Sequence, residues 1–338
     1  MRILFMGTPD FAAESLKAIV ESKYEVCGVV TNPDRPKGRG MKMLYSPVKE
    51  YALEKNLKIF QPEKITNNEE FKNEIRELNP DIACVVAYGK ILPKSFLKIP
   101  RLGCINVHGS LLPQYRGAAP IQWAVLNGDK ETGITTMYMN EKMDAGDIIL
   151  QEKVKIDEDE TTGELWQKLS SLGAKMLVDT LKQIENGTAP RIVQPEEFTI
   201  APMLNKEMAK IDWNEKDAKE IKNLVRGLNP IMGAFTNFNG KKIKFWKVQV
   251  LQEEEIIDKL TKQEELTTGN KIDKKELQKR ISNIENGTVV YSSAKDGLFI
   301  KAQNGYISVL EIQGENSKRM NINDFLRGNN VDVGNIFE

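Results

Sequence analysis

Over residues 1–155, short apolar segments alternate with longer segments of helical periodicity. This alternation predicts a doubly wound, Rossmann-like α/β domain with a mostly parallel sheet. The segment Ile82–Ala87 is apolar throughout, which indicates a central strand that is covered on both faces. The pattern predicts five strands: Ile3–Met6, Val26–Thr31, Ile82–Ala87, Cys104–Val107 and Ile134–Met139.

Three helices are predicted between these strands: Phe11–Ser22, Ser46–Asn56 and Glu69–Leu78. In the second of them, Pro47 favours the first helical position and so makes Ser46 the N-cap. Residues 161–186 carry the clearest amphipathic pattern, and a glycine follows directly. We predict that this helix closes a first domain of residues 1–187.

The periodicity disappears over residues 188–205, where prolines recur, and this stretch is predicted to be an extended linker. A second domain, residues 206–338, begins with a predicted helix at Asp217–Leu228. Four hairpin signals follow: Asn239-Gly240, Asn286-Gly287, Asp296-Gly297 and Asn304-Gly305. They predict a small antiparallel barrel, which a Lys/Glu-rich stretch at residues 252–285 interrupts as a mobile helical insertion.

The composition describes a neutral protein of two domains. The chain has 338 residues, and 48 Lys and Arg balance 48 Asp and Glu. Zero net charge argues against a surface that binds nucleic acid everywhere, although a local basic patch stays possible. The single histidine, His108, and the three separated cysteines exclude structural zinc sites, ligation of haem by two histidines, and H-E-x-x-H chemistry.

We expect a cytoplasmic protein that does not enter a membrane. No apolar run approaches the roughly 18 residues of a membrane span. The segment Met1–Met6 is too short for the core of a signal peptide. The cysteines Cys27, Cys84 and Cys104 lie in apolar runs without a C-x-x-C pair, so we interpret them as reduced core residues.

The first predicted strand runs into Gly7 ahead of a helix, as dinucleotide-binding motifs do. A G-x-G-x-x-G motif needs further glycines, whereas Thr8-Pro9-Asp10 follow Gly7 here. We therefore interpret the segment as a strand, a turn and a helix start with Asp10 near the N-cap, and NAD binding is disfavoured.

The stretch from Gly103 to Pro120 is the most informative in the chain. An apolar strand ends in Asn106-x-His108, and alternation places both side chains on one face, at the carboxyl end where open α/β sheets bind ligands. An amide donor and an imidazole that converge on one polar group can stabilise an oxyanion and move a proton. The alternative is a buried histidine that backbone groups satisfy.

An acidic glycine turn, Asp144-Ala-Gly-Asp147, follows the predicted strand Ile134–Met139. Acidic residues in such turns are most often only Asx-turn formers, and Asp147 fits that role. Asp144 could instead approach His108, where its charge would favour the imidazolium and accept a proton from an attacking amine. The sequence leaves both interpretations of Asp144 open.

Two motifs together resemble those of the methionyl-tRNA formyltransferases: Asn106-x-His-Gly-Ser-Leu-Leu-Pro-x-Tyr-Arg-Gly117 and the later Asp144-Ala-Gly-Asp147. The other matching segments are Arg2–Asp10, Asn32–Pro47, Ile211–Trp213 and Arg226–Pro230. The resemblance implies a formyltransferase fold followed by an OB-like barrel. It also implies transfer of a formyl group from 10-formyltetrahydrofolate to the methionine of initiator methionyl-tRNA, without a metal, which gives N-formylmethionyl-tRNA for translation initiation.

The resemblance assigns roles to named residues. Asn106, His108 and Asp144 would form the catalytic trio. In the implied mechanism the α-amino group attacks the formyl carbon, Asn106 and protonated His108 donate hydrogen bonds to the oxyanion, and Asp144 keeps His108 charged and helps remove the amine proton. The implied folate contacts are Ser110, Leu111, Leu112 and Pro113, with Ala87, Tyr88 and Gly89 helping to line the pterin pocket.

A cationic loop between the second strand and the second helix is the candidate contact for the acceptor. Its four cations, Arg35, Lys37, Arg39 and Lys42, are opposed only by Asp34, and two prolines and two glycines lie between Asn32 and Met43. From composition alone, a solvated loop without a partner is the alternative. The match to the family's tRNA-binding insertion implies that these cations contact tRNA.

The second domain is expected from the resemblance to help hold tRNA. Residues 206–338 contain 22 Lys and Arg against 20 Asp and Glu, a net charge of 22 − 20 = +2, so binding would rely on one face. Lys242 and Lys244 alternate with apolar neighbours and are the best candidates, although many lysine-rich strands are only solvated faces. The insertion at 252–285 departs from the family's shorter barrel.

Other classes of protein compete with this interpretation. A non-catalytic RNA-binding protein is disfavoured by the intact Asn106, His108 and Asp144. A sugar-amine formyltransferase or a formyltetrahydrofolate hydrolase is disfavoured by the cationic loop and the second domain. We expect a monomer.

Overall fold

The computed structural model describes residues 1–22, 24–37 and 42–338 of the chain. The chain divides into two compact units, and each unit contains segments that are not contiguous in sequence. The first unit comprises Met1–Ala124, Lys130–Glu158 and Glu164–Met203. The second comprises Val125–Asp129, Asp159–Gly163 and Leu204–Glu338.

Eleven described strands and six described helices lie wholly or mostly in the first unit. The strands are β1 (Arg2–Gly7), β2 (Glu25–Val30), β3 (Arg35–Lys37), β4 (Lys42–Leu44), β5 (Ile59–Phe60), β6 (Ile82–Val86), β7 (Cys104–His108), β8 (Arg116–Gly117), β9 (Glu131–Tyr138), β10 (Ile148–Lys155) and β11 (Ile200–Ala201). The helices are α1 (Asp10–Glu21), α2 (Pro47–Glu54), α3 (Glu69–Glu77), α4 (Lys94–Leu97), α5 (Pro120–Leu126) and α6 (Thr162–Glu185).

The main sheet of this unit has seven strands in the order β10-β9-β7-β6-β1-β2-β5. The strands from β5 to β7 pair in parallel, whereas β9 is antiparallel to both β7 and β10. All five residues of β6 are buried, as expected of a strand covered on both faces. The predicted mostly parallel sheet and its five strands are confirmed.

Local sequence signals account for the helix ends. The Ser46 hydroxyl accepts a hydrogen bond from the Lys49 backbone N–H at 3.1 Å, so Ser46 is the N-cap of α2 and Pro47 is its first residue, as predicted. Asp10 is the first residue of α1, and its carboxylate accepts from the Phe11 backbone and from the Trp166 indole.

The three cysteines are free thiols, and Cys84 and Cys104 are buried in or beside the sheet. Burial raises the pKa of both thiols, because it disfavours the charged thiolate. Cys84 and Cys104 are therefore packing residues, as the sequence predicts, whereas Cys27 is only half-buried.

Residues 188–203, most of the predicted linker, lie on the first unit. The backbones of Ile192 and Ile148 exchange two hydrogen bonds of 2.8 and 3.0 Å, and β11 pairs in parallel with β8. The chain here has little regular structure but is fixed to the unit along its length.

The second unit contains one 3₁₀ turn at Glu207–Ala209, four helices and six strands within the described chain. They are α7 (Ala218–Gly227), β12 (Ala234–Phe238), β13 (Lys241–Leu251), α8 (Glu253–Thr268), α9 (Lys274–Ser282), β14 (Val289–Ser293), β15 (Gly297–Lys301), β16 (Tyr306–Gln313), β17 (Met320–Asn321) and α10 (Ile322–Gly328). The strands form one antiparallel sheet in the order β12-β13-β16-β15-β14, with β17 paired to β16. The predicted antiparallel second domain is confirmed.

Three of the four predicted hairpins are present, with turns at Asn239-Gly240, Asp296-Gly297 and Asn304-Gly305. The hairpin prediction is wrong for Asn286-Gly287, which connects α9 to β14. There the glycine serves a close approach of two backbones: Gly287 has φ +83°, and a Cβ on it would lie 2.3 Å from the Phe337 carbonyl oxygen.

Residues 252–285 form α8, α9 and the turn between them. An apolar cluster joins these two helices to strands of the second sheet, and it contains Ile256, Leu260, Leu277, Ile281, Tyr291 and Phe299. These side chains are buried, so the insertion packs on the sheet.

Two short segments of the second unit come from the middle of the chain, and hydrogen bonds join them to α7. The Arg226 guanidinium donates to the carbonyls of Glu160 at 3.1 Å and Val125 at 3.4 Å. The Thr162 hydroxyl donates to the Gly227 carbonyl at 2.7 Å. Arg226 is only 7% exposed, so its charge depends on these partners.

None of the described helices combines the length and the apolar character that crossing a membrane requires.

Candidate active site

The candidate site lies at the carboxyl end of β7, beside the carboxyl end of β6. The two strands pair in parallel with Val107 opposite Val86, so the loops that follow them begin side by side. Asn106 and His108 are two residues apart on β7 and share one face of the sheet, as predicted. Open α/β sheets bind ligands at this edge.

Asn106, His108 and Asp144 meet at this edge, and we call them the trio. The Asp144 carboxylate lies 3.7 Å from Nδ1 of His108 and 3.5 Å from the Asn106 amide nitrogen. The His108 and Asp144 side chains are 6% and 14% exposed. Of the two interpretations of Asp144, the structure supports its approach to His108.

The other ring nitrogen of His108 fixes the orientation of the imidazole. Nε2 lies 2.9 Å from the Tyr115 carbonyl oxygen, which can only accept, so Nε2 carries a proton. Nδ1 therefore faces Asp144, and protonation of Nδ1 gives an imidazolium beside a carboxylate. The sequence left open that backbone groups satisfy this histidine. The Tyr115 carbonyl does bind Nε2, and Nδ1 still faces Asp144.

The Asp144 carboxylate has a further partner, because the Gly117 backbone N–H donates to it at 2.9 Å. Asp144 adopts φ +49°, a left-handed conformation that is uncommon for residues with a Cβ. Asp147, in the same turn, interacts with Arg191 at 3.4 Å and lies away from the trio's contacts.

When Nδ1 of His108 is protonated, the trio presents two hydrogen-bond donors and one carboxylate in a small, largely buried space. The distances of 3.5 and 3.7 Å are longer than a normal hydrogen bond, so neither donor is fully engaged by Asp144. Such an arrangement can stabilise a developing oxyanion and receive a proton from an attacking group.

The predicted folate segment after His108 is held by the protein's own polar groups. The Ser110 hydroxyl donates to the Gln114 carbonyl at 2.6 Å, and Leu112 is bound through its N–H by Thr135 and through its carbonyl by Gln151. The Leu112 side chain is 3% exposed and packs with Met137 and Ile148. Leu111 and Pro113 are half-buried.

The predicted pterin segment follows β6, next to the loop that carries His108. Ala87 and Gly89 are exposed and have φ of +44° and +76°. A Cβ built on Gly89 would meet nothing within 4 Å, so open space lies in front of this backbone. Tyr88 points into the core, and burial raises the pKa of its hydroxyl.

The predicted tRNA loop contains β3 and β4, which pair antiparallel with Lys37 opposite Lys42, and we call residues 35–44 the cationic hairpin. Arg35 is exposed, and Arg39 lies outside the described residues. Below the hairpin, the Lys49 ammonium binds the Asp34 carboxylate and lies 2.8 Å from the Gln61 side-chain oxygen. The hydrogen bond from Lys49 lowers the pKa of Asp34.

The two predicted lysines on β13 differ in their surroundings. Lys242 is exposed, and its ammonium lies 3.4 Å from the ring centre of Phe235. Lys244 is half-buried and donates to the Met232 carbonyl at 2.7 Å. Burial and the nearby charge of Lys242 lower the pKa of Lys244.

Sequence reasoning did not find three groups that contact the trio: the Tyr115 carbonyl, the Gly117 N–H and Gln194, whose amide nitrogen donates to the Asp144 carbonyl at 2.9 Å. Gly117 carried a detectable signal, since it closes the motif that starts at Asn106 and needs φ +129°. Gln194 carried none, because it lies in a stretch without periodicity, far along the chain from Asp144.

Among the residues that the structure describes, no group of three or more His, Cys, Asp or Glu side chains is arranged to hold a metal ion.

Comparison with known proteins relates the whole chain to known enzymes. The formyl transferase family matches residues 1–181, and the formyl transferase C-terminal domain matches residues 203–330. The methionyl-tRNA formyltransferase of Clostridioides difficile strain 630 is 46% identical over 99% of both chains. That of Caldanaerobacter subterraneus subsp. tengcongensis is 45% identical over 100% of both chains.

Solved structures with the same fold are more distant in sequence. The sugar 3N-formyl transferase WlaRD, determined with dTDP and 5-N-formyl-THF, gives a TM-score of 0.62 at 19% identity and covers 94% of this chain and 99% of its own. An N-formyltransferase from Helicobacter canadensis, in complex with folinic acid and dTDP-3-aminofucose, gives 0.62 at 19% identity, covering 93% of this chain and 99% of its own.

Proposed function

The chain belongs to the formyl transferase family, and from this premise we propose that it formylates the methionine of initiator methionyl-tRNA. The formyl donor is 10-formyltetrahydrofolate, and the product is N-formylmethionyl-tRNA for translation initiation. The observation that carries the proposal is the convergence of Asn106, His108 and Asp144 in one largely buried space. We expect the enzyme to act as a monomer in the cytoplasm.

The trio performs the chemistry in this proposal. The α-amino nitrogen bonds to the formyl carbon, and the carbonyl electron pair moves to oxygen. Asn106 and the imidazolium of His108 donate hydrogen bonds to that oxyanion. Because Nε2 is bound to the Tyr115 carbonyl, the His108 proton that faces Asn106 and Asp144 is the one on Nδ1. Asp144 stabilises the imidazolium and accepts the proton that leaves the amine. The electron pair on the oxyanion then re-forms the carbonyl, the bond from the formyl carbon to the folate nitrogen breaks, and the proton held by Asp144 passes to that nitrogen.

The donor is proposed to lie along the edge formed by the loops after β6 and β7. Ala87 and Gly89 are exposed, and open space lies in front of the Gly89 backbone. Ser110, Leu111, Leu112 and Pro113 shape the neighbouring wall, mainly through backbone positions that Thr135 and Gln151 hold. In this proposal the flat ring system of the donor lies against exposed backbone, beside the buried polar trio.

Methionyl-tRNA is favoured over an amino sugar as the acceptor for one reason. The relatives that are 45–46% identical over the full chain are methionyl-tRNA formyltransferases, whereas the sugar N-formyltransferases are 19% identical. In the proposal the cationic hairpin, with Arg35, Lys37, Arg39 and Lys42, contacts the tRNA backbone. Lys242 and Lys244 of the second unit add contacts elsewhere.

The test is to incubate the protein with 10-formyltetrahydrofolate and methionyl-initiator tRNA, and to measure N-formylmethionine released from the tRNA. A parallel reaction replaces the tRNA with a dTDP-linked amino sugar, and another omits any acceptor. Formylation of the tRNA alone supports the proposal. Formylation of the sugar, or consumption of the donor without an acceptor, would contradict it and indicate a sugar-amine formyltransferase or a hydrolase.

A further inference from the structure

Residues 191–201 cross the first unit beside the trio, and their side chains point almost entirely to solvent. Of residues 191–200, Gln194 alone is not exposed. Its neighbours Ile192 and Val193 are 54% and 78% exposed. Apolar side chains normally take the inward positions of such a segment, so an inward glutamine beside an outward Ile and Val indicates a polar task.

The Gln194 amide uses all of its hydrogen-bonding directions on one cluster. Its nitrogen donates to the Asp144 carbonyl at 2.9 Å and to the Gly146 carbonyl at 2.8 Å. Its oxygen accepts from Nε and Nη2 of Arg116 at 3.1 and 2.6 Å. A guanidinium only donates and a carbonyl only accepts, so the orientation of this amide is unambiguous.

The hydrogen bonds of Gln194 fix the turn that carries Asp144, whose backbone conformation is unfavourable. Asp144 holds φ +49°, which residues with a Cβ adopt only when their surroundings fix them. Gln194 binds the carbonyl of Asp144 itself and the carbonyl two residues later. It therefore fixes the backbone from which the Asp144 carboxylate reaches His108.

The same segment supports a second left-handed residue on the other side of the trio. Tyr115 has φ +61°, and its carbonyl binds Nε2 of His108. The Tyr115 N–H donates to the Thr199 hydroxyl at 2.8 Å, and the next N–H, of Arg116, donates to the Thr199 carbonyl at 2.9 Å. Residues 194–199 thus bind the backbone of both Asp144 and Tyr115, two residues that contact His108.

We propose that Gln194 and Thr199 are positioning residues for formyl transfer, an inference that rests on the proposed function. Neither side chain is bonded to the imidazole or to the carboxylate. Gln194 acts through the backbone of Asp144, and Thr199 acts through the Tyr115 carbonyl that holds His108. Because they set the geometry of the trio and not the affinity for either substrate, their loss lowers kcat and leaves KM unchanged.

The first experiment compares Gln194→Leu with Gln167→Leu. Leucine has a similar volume and no hydrogen-bonding group, and Gln167 is an exposed residue of α6. We expect Gln194→Leu to lower kcat by about 10²-fold, as misplacement of reacting groups by about 1 Å does. KM for donor and for tRNA should stay at the wild-type values, and Gln167→Leu should match the wild type.

The second experiment compares Thr199→Val with Thr199→Ser. Valine keeps the shape and removes the acceptor of the Tyr115 N–H, whereas serine retains a hydroxyl. Thr199→Val should lower kcat by roughly 10-fold, the effect of one lost hydrogen bond on a positioned group. Thr199→Ser should restore most of the rate. If Gln194→Leu does not fold, this pair tests the inference.

A readout that does not depend on turnover comes from the imidazole itself, because His108 is the chain's single histidine. In an untagged protein its ring signals are resolved by NMR, and Gln194→Leu should shift or broaden them while Gln167→Leu does not. Wild-type kcat and unchanged ring signals in Gln194→Leu would overturn the inference. So would a raised KM at normal kcat, or a lowered Tm alone.

The two proposals fail separately. If the wild-type enzyme does not formylate methionyl-tRNA, the proposed function is wrong. Altered His108 signals in Gln194→Leu would still support the positioning of the trio by this segment.

Discussion

The trio and the cationic hairpin are built in opposite ways. His108 is held at Nε2 by a carbonyl and Asp144 by the Gly117 N–H, and both side chains are mostly buried. In the hairpin, Arg35 is exposed, and Met43 and Leu44 are 58% and 51% exposed. One region fixes a few polar groups against one another, and the other extends charged and apolar groups into solvent.

The difference follows from what each region has to recognise. Stabilising an oxyanion requires donors placed to within a fraction of an ångström in a space with little water. Binding a phosphate backbone requires positive charges on extended side chains, since many geometries give nearly the same attraction. Directly before the hairpin, Lys49 binds Asp34 and so removes the one opposing charge from the cationic set.

The largest effect is expected from His108→Ala, which removes the only imidazole of the chain. Formyl transfer should fall by roughly 10³-fold or more, because the residue acts as both an oxyanion donor and part of a proton relay. Circular dichroism and folate-analogue binding serve as controls and should match the wild type. A well-folded variant with near-normal kcat would remove His108 from the chemistry.

Asp144→Asn also tests the trio, because the change keeps the shape of the side chain and removes its charge. We expect a loss in kcat comparable to that of His108→Ala, since an amide neither stabilises the imidazolium nor accepts the amine proton. A stopped assay of N-formylmethionine formation measures it. A loss smaller than about 10-fold would mean that only the shape of Asp144 is needed.

Asn106→Ala should have the next largest effect. One oxyanion donor typically accounts for about 10²–10³-fold in rate, and His108 remains as the second donor. The variant should bind the folate analogue as the wild type does, which calorimetry can check. Unchanged activity in Asn106→Ala would remove the amide from the chemistry.

Arg39→Ala tests the cationic hairpin, and its expected effect is smaller and depends on salt. We expect kcat/KM for methionyl-tRNA to fall by about 10-fold at low ionic strength and less at high ionic strength, where screening is stronger. Folate affinity should not change. An equal loss at all salt concentrations, or a loss of folate affinity, would contradict the assignment of the cationic hairpin to tRNA.

The smallest effects are expected from Lys242→Ala and Lys244→Ala. Lys242 is exposed, so its removal should weaken tRNA binding by about 2-fold without changing Tm. Lys244 donates to the Met232 carbonyl, so its removal should lower Tm as well. Filter binding with methionyl-tRNA and thermal denaturation separate the two. A larger binding loss for Lys244→Ala would reverse their ranking.

The features that the sequence predicted correctly are those that short-range patterns determine. Alternation along one strand was enough to put Asn106 and His108 on one face. Apolar runs and caps predicted the strands of the main sheet and the start of α2 at Pro47. These features depend on residues that are neighbours in the chain.

The features that were missed depend on backbone conformation and on distant partners. The sequence could not decide whether Asp144 meets His108, because that contact depends on φ +49° and on bonds from Gly117 and Gln194. The Asn286-Gly287 pair has the composition of a hairpin turn, but its close contact is with Phe337, near the end of the chain. No window of local sequence contains such partners.

The path of the chain between the two units has a consequence for biosynthesis. Residues 125–129 and 159–163 belong to the second unit but leave the ribosome before Arg226, whose guanidinium binds both segments. At a synthesis rate of about 5–20 residues per second, Arg226 follows these segments by several seconds. Residues 204–338 therefore do not contain the whole second unit, and their synthesis alone would leave the buried charge of Arg226 without those two carbonyls.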